Sequence, residues 1–400
     1  MIKRLQNLCS RACLLLLLAL ILAAGAAGMA ERHLPDSISV FAGETPTVGS
    51  GMTLTPSGEE VAHHHYTVGS ATVKLLGLLP VKEIEVRRYE ALSLCPGGSL
   101  FGLRAPLGGV LVTAVAEVEG TGGRSPAREA GLARGDLITA VDGQAVTDAE
   151  ALAARVKGSG GAPLSLSVSR GGRSLTVRLT PCALTNGEYR AGLLVKDSVA
   201  GIGTVTFVDP ETGFFAGLGH GVYDGISHSP VTIGRGIVTE VGLTGVCPGT
   251  SGTPGELRGH LESARLGTLL SNTECGVFGI LATPTVGEAI PIGLRGEVHL
   301  GEAEILSTVE EGAPRRYRIE IIALRGEKGS DRSFSIRVTD EHLLAVTGGI
   351  VQGMSGSPII QDGKLVGAVT HVMISDPTAG YGIFIENMLN AANIPMAKAS

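Results

Sequence analysis

Several features that mark other protein classes are missing from this sequence. Basic residues are not in excess, since 32 Lys and Arg stand against 38 Asp and Glu and give a net charge of −6. No basic stripe runs along the chain, which argues against nucleic acid as the main partner. Beyond the N-terminus there is no long block rich in Glu, Lys and Leu, and no heptad or short repeat is visible. These absences disfavour a helical fold.

The cysteines lack the spacing of a metal site. There are six, and none forms a C-x-x-C pair. The four that follow the N-terminal segment are far apart in the sequence, so either a disulfide or unpaired buried thiols is compatible with them, and we favour the thiols. The tract His63–His65 is expected to be solvated. We therefore predict neither a metal nor a cofactor.

What the sequence does contain is glycine, valine and threonine. Its 59 glycines and 4% aromatic content, with Val, Thr and Gly dominating the second half, favour a mainly β chain with many short strands.

Near the start, basic residues precede an uninterrupted small and apolar run over 12–30, which predicts a signal peptide or a retained membrane anchor over residues 1–30. Either would place the rest of the chain outside the cytoplasm. Residues 31–95 read as an extended connector with a possible β-hairpin around Pro80.

The segment "SPAREAGLARGDLITAVDGQAV" and the alternating hairpin "PLSLSVSRGGRSLTVRLTP" that follows resemble a PDZ domain of the bacterial protease-associated kind. The resemblance covers residues 96–182. In that family a glycine-containing loop and a strand edge bind a peptide or its terminal carboxylate. The matching loop here is "GGSLFGLR", and its predicted peptide-binding residues are Gly97, Gly98, Ser99, Leu100, Phe101 and Gly102.

Two segments of the second half share the pattern G-x-S-G-x-P. Glycines allow a sharp turn on which a serine hydroxyl projects and amide N–H groups converge on an oxyanion. Ser251, in "CPGTSGTPG", lacks strand-like flanks, whereas Ser355, in "VQGMSGSPII", lies between strands. We therefore predict Ser355 as the nucleophile, with Gly353 and Ser355 supplying the oxyanion-hole N–H groups. Ser357 falls after the turn.

A serine nucleophile needs a base and an acid that orients the base. His220 follows an apolar strand and has glycine on both sides, and we predict it as the base. His228 and His371 are alternatives. Asp224 is the acid nearest to His220 in sequence, and Asp340 ends a strand before Ser355, so either could orient the imidazole.

The segments "TGGIVQGMSGSPIIQDGKLVGAVTHVMISDPTAGYGIFIENML" and "GLGHGVYD", with the PDZ-like module before them, resemble the SpoIVB family of stage IV sporulation serine peptidases. The resemblance implies a chymotrypsin-like double β-barrel over residues 183–400 and a triad of His220, Asp340 and Ser355. It also implies export across the forespore membrane into the intermembrane space, with the protein either anchored or released by N-terminal cleavage.

The same resemblance implies two kinds of substrate. One is the protein itself, cut near its N-terminus, and the other is a membrane-bound inhibitor of an intramembrane protease, whose cleavage releases processing of a late sigma factor. Because every triad candidate follows residue 186, we expect the PDZ domain to recruit substrate without shaping the chemistry. The alternative from another class is a non-catalytic exported PDZ scaffold.

Overall fold

The computed structural model describes residues 14, 25, 27–63, 66–223, 225, 231, 236–283, 287–325 and 331–392. The chain divides into two compact units, residues 1–92 with 294–296 and 393–400, and residues 93–293 with 297–392. No helix within the described ranges has the length and apolar character needed to cross a membrane. The predicted export segment, residues 1–30, lies mostly outside those ranges.

The first unit contains a five-stranded sheet where the sequence predicted a connector. Its strands are β1 (Ser37–Phe41), β2 (Met52–Pro56), β3 (Val61–Ala62), β4 (Tyr66–Leu75) and β5 (Leu79–Tyr89). The hairpin of β4 and β5 is antiparallel, and β1 lies parallel to β5. Every second residue of the hairpin points to one face, where Val73, Ile84 and Val86 are buried. The structure thus contains the hairpin that the sequence predicted around Pro80, and other parts of the predicted connector add strands to a sheet that has its own core.

The second unit begins with the PDZ domain. A short strand, β6 (Ser93–Pro96), precedes this domain and pairs outside it. The elements of the domain are β7 (Leu100–Val115), α1 (Pro126–Glu129), β8 (Leu137–Val141), β9 (Gln144–Ala145), α2 (Ala149–Gly158), β10 (Leu164–Arg170), β11 (Arg173–Leu179), β12 (Cys182–Ala183) and β13 (Tyr189–Arg190). The sheet runs in the order β11-β10-β8-β7. Val110, Ile138, Leu152 and Leu166 form its core with α2.

A first β-barrel follows. Its additional strands are β14 (Leu193–Val208), β15 (Phe214–Gly217), β16 (Gly236–Cys247), β17 (Glu256–Thr273) and β18 (Gly276–Leu281), and β19 (Ile290–Pro291) pairs with β6 outside it. The pairings run β7-β16-β17-β18-β15-β14 and return from β14 to β7, so six strands form a ring. Phe101, Phe215, Val238 and Leu269 fill its interior.

A second barrel completes the unit. It consists of β20 (Gly301–Ser307), β21 (Arg315–Leu324), β22 (Phe334–Val338), β23 (Pro358–Gln361), β24 (Lys364–Met373) and β25 (Asp376–Phe384), closed in the order β20-β21-β22-β25-β24-β23. Helix α3 (Glu341–Thr347) precedes β23, and α4 (Ile385–Ala391) follows β25. The predicted mainly β architecture with a PDZ domain and a double barrel is confirmed.

The predicted PDZ loop, Gly97–Gly102, belongs instead to the first barrel. Phe101 is fully buried in that barrel, and the Gly97 N–H donates to the Thr206 carbonyl at 3.0 Å. A Cβ added to Gly97 would lie 2.3 Å from the Val205 oxygen. The glycine therefore permits close packing of strands, and the assignment of this loop to peptide binding is corrected.

No disulfide bond joins the four cysteines among the described residues. Cys95, Cys182 and Cys275 are buried, and Cys247 is partly exposed. This agrees with the favoured alternative of thiols that form no disulfide.

Candidate active site and peptide groove

Ser355 lies on a sharp turn between α3 and β23. Gly353 and Gly356 on either side have φ of 100° and 98°, a region that glycine enters at little cost. Met354 between them is fully buried and anchors the turn in the second barrel. Ser357 is also buried, and its hydroxyl donates to the Ser307 hydroxyl at 3.0 Å. Of the two serines on this turn, only Ser355 is partly exposed.

The turn leaves two backbone donors available. The Met354 N–H donates to the Val351 carbonyl at 3.1 Å, and the Gly356 N–H donates to the Val369 carbonyl at 2.7 Å. The N–H groups of Gly353 and Ser355 have no acceptor among the described residues. These are the two donors that the sequence predicted for an oxyanion hole.

The Ser355 hydroxyl donates to the Thr370 carbonyl at 2.7 Å. His220 is brought to the same place by a tight turn after β15, in which Leu218 and Gly219 have φ of 67° and 68°. A Cβ added to Gly219 would lie 3.0 Å from Thr370 Cγ2, so this turn packs directly on Thr370. The predicted nucleophile and the turn that carries the predicted base thus meet at Thr370.

The hydrogen bond of the His220 ring determines which of its two nitrogens carries the proton. Its Nδ1 lies 3.0 Å from the Gly221 carbonyl, which can only accept, so Nδ1 carries the proton. Nε2 is then the nitrogen with a lone pair, as a general base requires. Burial lowers the pKa of His220, against smaller opposing effects of the Gly221 carbonyl and the Asp331 charge. The ring is therefore neutral at pH 7.

A second histidine packs against the first. The ring centroids of His371 and His220 are 4.8 Å apart. Burial, with the neighbouring His220, lowers the pKa of His371 to about 4, and the Asp331 charge opposes this shift. His371, which the sequence offered as an alternative base, is thus a neutral neighbour of His220.

The acid beside these rings is Asp331, which the sequence analysis missed. Its Oδ2 lies 3.7 Å from His371 Nδ1, and its charge acts on both histidines. Its own carbonyl accepts a hydrogen bond from the Thr370 hydroxyl at 2.7 Å. The sequence signal was weak, because Asp331 lies in the polar stretch "EKGSDRS" ahead of β22, where charged residues are common.

Asp340 is placed differently from the prediction. It is the N-cap of α3, where Oδ1 accepts the Leu343 N–H at 3.0 Å and Oδ2 accepts the Arg318 N–H at 3.3 Å. Burial would raise the pKa of Asp340, but these hydrogen bonds and the Arg318 charge lower it overall. Both carboxylate oxygens are engaged at the helix terminus, and neither bonds His220. The predicted pairing of Asp340 with His220 is corrected on this point.

The remaining candidates lie elsewhere. Ser251 is exposed on a turn at the rim of an open cleft of about 620 Å³, and its hydroxyl donates to the Ser375 carbonyl at 2.9 Å. His228 and Asp224 lie outside the described residues.

The peptide groove of the PDZ domain is formed by α2 and the start of β14. A cavity of about 650 Å³ lies between them, lined by Leu152, Ala153 and Val156 from the helix and by Leu193 and Val195 from the strand. A PDZ domain binds a peptide as an added strand in such a position. The sequence prediction failed because the groove strand is the start of β14, which follows the predicted PDZ segment of residues 96–182.

The two walls of this groove are joined at one end. The Asp197 carboxylate on β14 accepts the Ala149 N–H at 3.0 Å, at the first residue of α2. At the other end the loop before β14 contains Gly192, with φ of 71°, where a Cβ would lie 2.4 Å from the Ala116 carbonyl oxygen. The glycine loop that lines the cavity is thus the one at Gly192, and not the predicted loop Gly97–Gly102.

Several known proteins and family models are similar to parts of this chain. The chain matches a PDZ domain family over residues 120–170. It is 38% identical over 95 residues to a Lactococcus lactis protein described as a zinc metalloprotease, an alignment that covers 24% of this chain and 21% of that relative. The chain thus spans about a fifth of the length of that relative.

Two solved structures of the M. tuberculosis protease Rv3671c are also similar. The active form is 16% identical with a TM-score of 0.30, over 50% of this chain and 77% of that chain. The inactive form of a serine-to-alanine mutant is 14% identical with a TM-score of 0.26, over 49% and 84%.

A second family model matches the whole second barrel and every strand of the first barrel except β7. The family described as SpoIVB peptidase S55 matches residues 187–389, just over half of the 400 residues. That range contains the Ser355 turn, both histidines and Asp331. The chain therefore belongs to the SpoIVB peptidase S55 family and contains a PDZ domain.

Proposed function

We propose that the protein is an endopeptidase that cleaves peptide bonds through an acyl-enzyme on Ser355. The observation that carries the proposal is the arrangement at Thr370. Its carbonyl accepts the Ser355 hydroxyl, and its side chain packs on the turn that carries His220. Nucleophile and base thus lie on opposite barrels and approach each other at one residue.

The proposed reaction starts by rotating Ser355 Oγ from the Thr370 carbonyl toward His220 Nε2. His220 takes the hydroxyl proton while Oγ attacks the scissile carbonyl carbon. The N–H groups of Gly353 and Ser355 bind the resulting oxyanion, and each such donor lowers the barrier by about 3 kcal/mol. His220 then protonates the leaving amine, and water hydrolyses the acyl-enzyme by the reverse transfers. None of these steps uses a metal or cofactor.

The imidazolium that forms on His220 needs a nearby negative charge. Asp331 supplies it in this proposal, because its charge already acts on both histidine rings. The Gly221 carbonyl holds the Nδ1 proton of His220 and therefore the tautomer. Asp340 keeps its position at the start of α3.

For the biological role we propose export into the space between forespore and mother cell, with cleavage of the protein itself and of a membrane-bound regulator of an intramembrane protease. Membership of the SpoIVB family supports this role. The PDZ groove between α2 and β14 would bind an extended segment of such a partner.

Peptidase activity can be tested with the purified chain and a quenched fluorescent peptide library. Wild-type protein should cleave a subset of the peptides, and Ser355→Ala and His220→Ala should each reduce cleavage by at least 10³-fold. A folded wild-type protein that cleaves neither the library nor its own N-terminal region would favour the PDZ scaffold instead.

A further inference from the structure

A single strand, β14, forms one wall of the PDZ groove and also contacts the active-site turn. β14 spans sixteen residues with no break in the strand, and its pairing with β7 shifts register between Leu194 and Val195 and between Lys196 and Ser198. Its first residues pair with the PDZ half of β7, Leu193 opposite Val115 and Val195 opposite Val112. Its later residues pair with the barrel half of β7, up to Thr204 opposite Leu100. No linker therefore separates the groove wall from the catalytic barrel.

The far end of this strand holds the nucleophile turn through three hydrogen bonds. The Thr204 N–H donates to the Ser355 carbonyl at 3.0 Å, and the Thr204 hydroxyl donates to the Gly353 carbonyl at 2.7 Å. The Thr206 hydroxyl donates to the Gly356 carbonyl at 2.8 Å. Both threonine side chains are completely buried.

The nucleophile turn packs closely against β14. A Cβ added to Gly356 would lie 2.0 Å from the Thr204 carbonyl oxygen. A displacement of the strand must therefore displace the turn, including the Gly353 and Ser355 N–H groups. Misplacing catalytic groups by about 1 Å can cost 10²-fold in rate.

We propose that Thr204 and Thr206 are positioning residues for Ser355, and that β14 transmits the occupancy of the PDZ groove to the nucleophile turn. The inference rests on the proposed peptidase function. A peptide that pairs with the edge of β14 at Leu193, Leu194 and Val195 shifts this strand relative to α2. The strand conveys this movement to the turn, where the Ser355 hydroxyl exchanges between the Thr370 carbonyl and His220. The PDZ domain then does more than recruit substrate.

The role of the hydroxyls can be tested with a small fluorophosphonate probe that cannot occupy the PDZ groove. Thr204→Val keeps the shape of the side chain and leaves the Gly353 carbonyl without its donor. We expect its second-order labelling rate to fall at least tenfold, and kcat to fall with little change in KM. Thr204→Ser retains the hydroxyl and should label within threefold of wild type.

Thr139→Val is the matched control. Its hydroxyl also donates to a backbone carbonyl, that of Ser167, but this bond joins β8 to β10, neither of which pairs with β14. It should label at the wild-type rate. If Thr204→Val is folded by circular dichroism and labels like Thr139→Val, the positioning role is overturned.

Transmission along β14 can be tested from the groove itself. Ala153 and Ala154 are adjacent exposed residues of α2, and Ala153 lines the cavity whereas Ala154 does not. Ala153→Trp should wedge the helix away from β14 and slow labelling of Ser355 at least threefold, while Ala154→Trp should leave the rate unchanged. The slowing should be absent when Thr204→Val is combined with Ala153→Trp.

The outcomes separate this inference from the proposed function. Equal labelling of the two tryptophan variants overturns the coupling while the peptidase assignment stands. Wild-type protein that takes no label at Ser355 overturns both.

Discussion

Replacing each of two aspartates by asparagine distinguishes the acid that serves His220. Asp331 Oδ2 lies 3.7 Å from His371 Nδ1. The His220 ring packs against the His371 ring, and their centroids are 4.8 Å apart. Taking about 8 Å from carboxylate to His220 and an effective dielectric of 20, the attraction is about 2 kcal/mol. Asp331 is about one-third exposed, so solvent reduces this figure and a 10- to 30-fold loss of kcat/KM is expected for Asp331→Asn.

Asp340→Asn should behave differently. Asparagine caps a helix about as well as aspartate, so the bond to the Leu343 N–H is preserved, and activity should stay within a few-fold of wild type. An acid that belonged to a Ser-His-Asp triad would instead cost about 10⁴-fold when changed to Asn.

The assay is kcat/KM on one fluorogenic peptide, with thermal unfolding measured in parallel. A 10⁴-fold loss in Asp340→Asn with an unchanged melting temperature, together with full activity in Asp331→Asn, would refute the assignment of Asp331.

Three further predictions follow from other parts of the chain. Ser251→Ala should keep most of the peptidase activity, because its exposed hydroxyl only donates to a backbone carbonyl; a loss as large as that of the nucleophile variant would reverse the choice of serine. Since the pKa of His371 is about 4 when folded and 6.5 when free, the unfolded chain binds an extra proton between these values, so stability should fall as the pH drops from 6.5 to 4. Urea unfolding across this range should show a flatter dependence for His371→Asn, and equal slopes would contradict the account. Arg170→Ala should lower the free energy of unfolding of the PDZ domain by about 2 kcal/mol in thermal unfolding. The reason is that Arg170 makes two hydrogen bonds to Asp136, whose side chain is only 1% exposed. Replacing the exposed Arg178 by Ala should change the free energy of unfolding by less than about 0.5 kcal/mol.

Local patterns were sufficient for much of the fold. The alternation of Leu164, Leu166 and Val168 ahead of a Gly-Gly turn predicted the β10–β11 hairpin, and the structure has that hairpin in register. The Ser355 turn was found because its glycines are required at φ near 100°. In both cases the deciding interactions lie within a few residues of one another.

The parts that were missed depend on where distant segments meet. β7 and β14 are each sixteen residues long and each serve both the PDZ sheet and the first barrel. Alternating apolar residues mark such a strand, but they do not show where it leaves one sheet for another. The sequence analysis therefore placed the peptide groove at the start of β7, whereas the structure has it at the start of β14.

Asp331 was missed for a similar reason. Asp340 ends a strand close to the nucleophile in sequence, which made it the more attractive acid. Its position at the start of α3 gives it the local partners of a helix cap. Asp331, in contrast, reaches the histidines only because β22 pairs with β25 and β25 pairs with β24. Sequence proximity to Ser355 was a poor guide to spatial proximity to His220.

The most direct test of the central claim is to locate the covalent adduct of a fluorophosphonate probe. Purified full-length protein is treated with the probe, its intact mass is measured, and the modified peptide is sequenced by mass spectrometry. We predict a single adduct on Ser355 that disappears in Ser355→Ala and forms much more slowly in His220→Ala. An adduct on Ser251, or a folded wild-type protein that takes no adduct, would contradict the account.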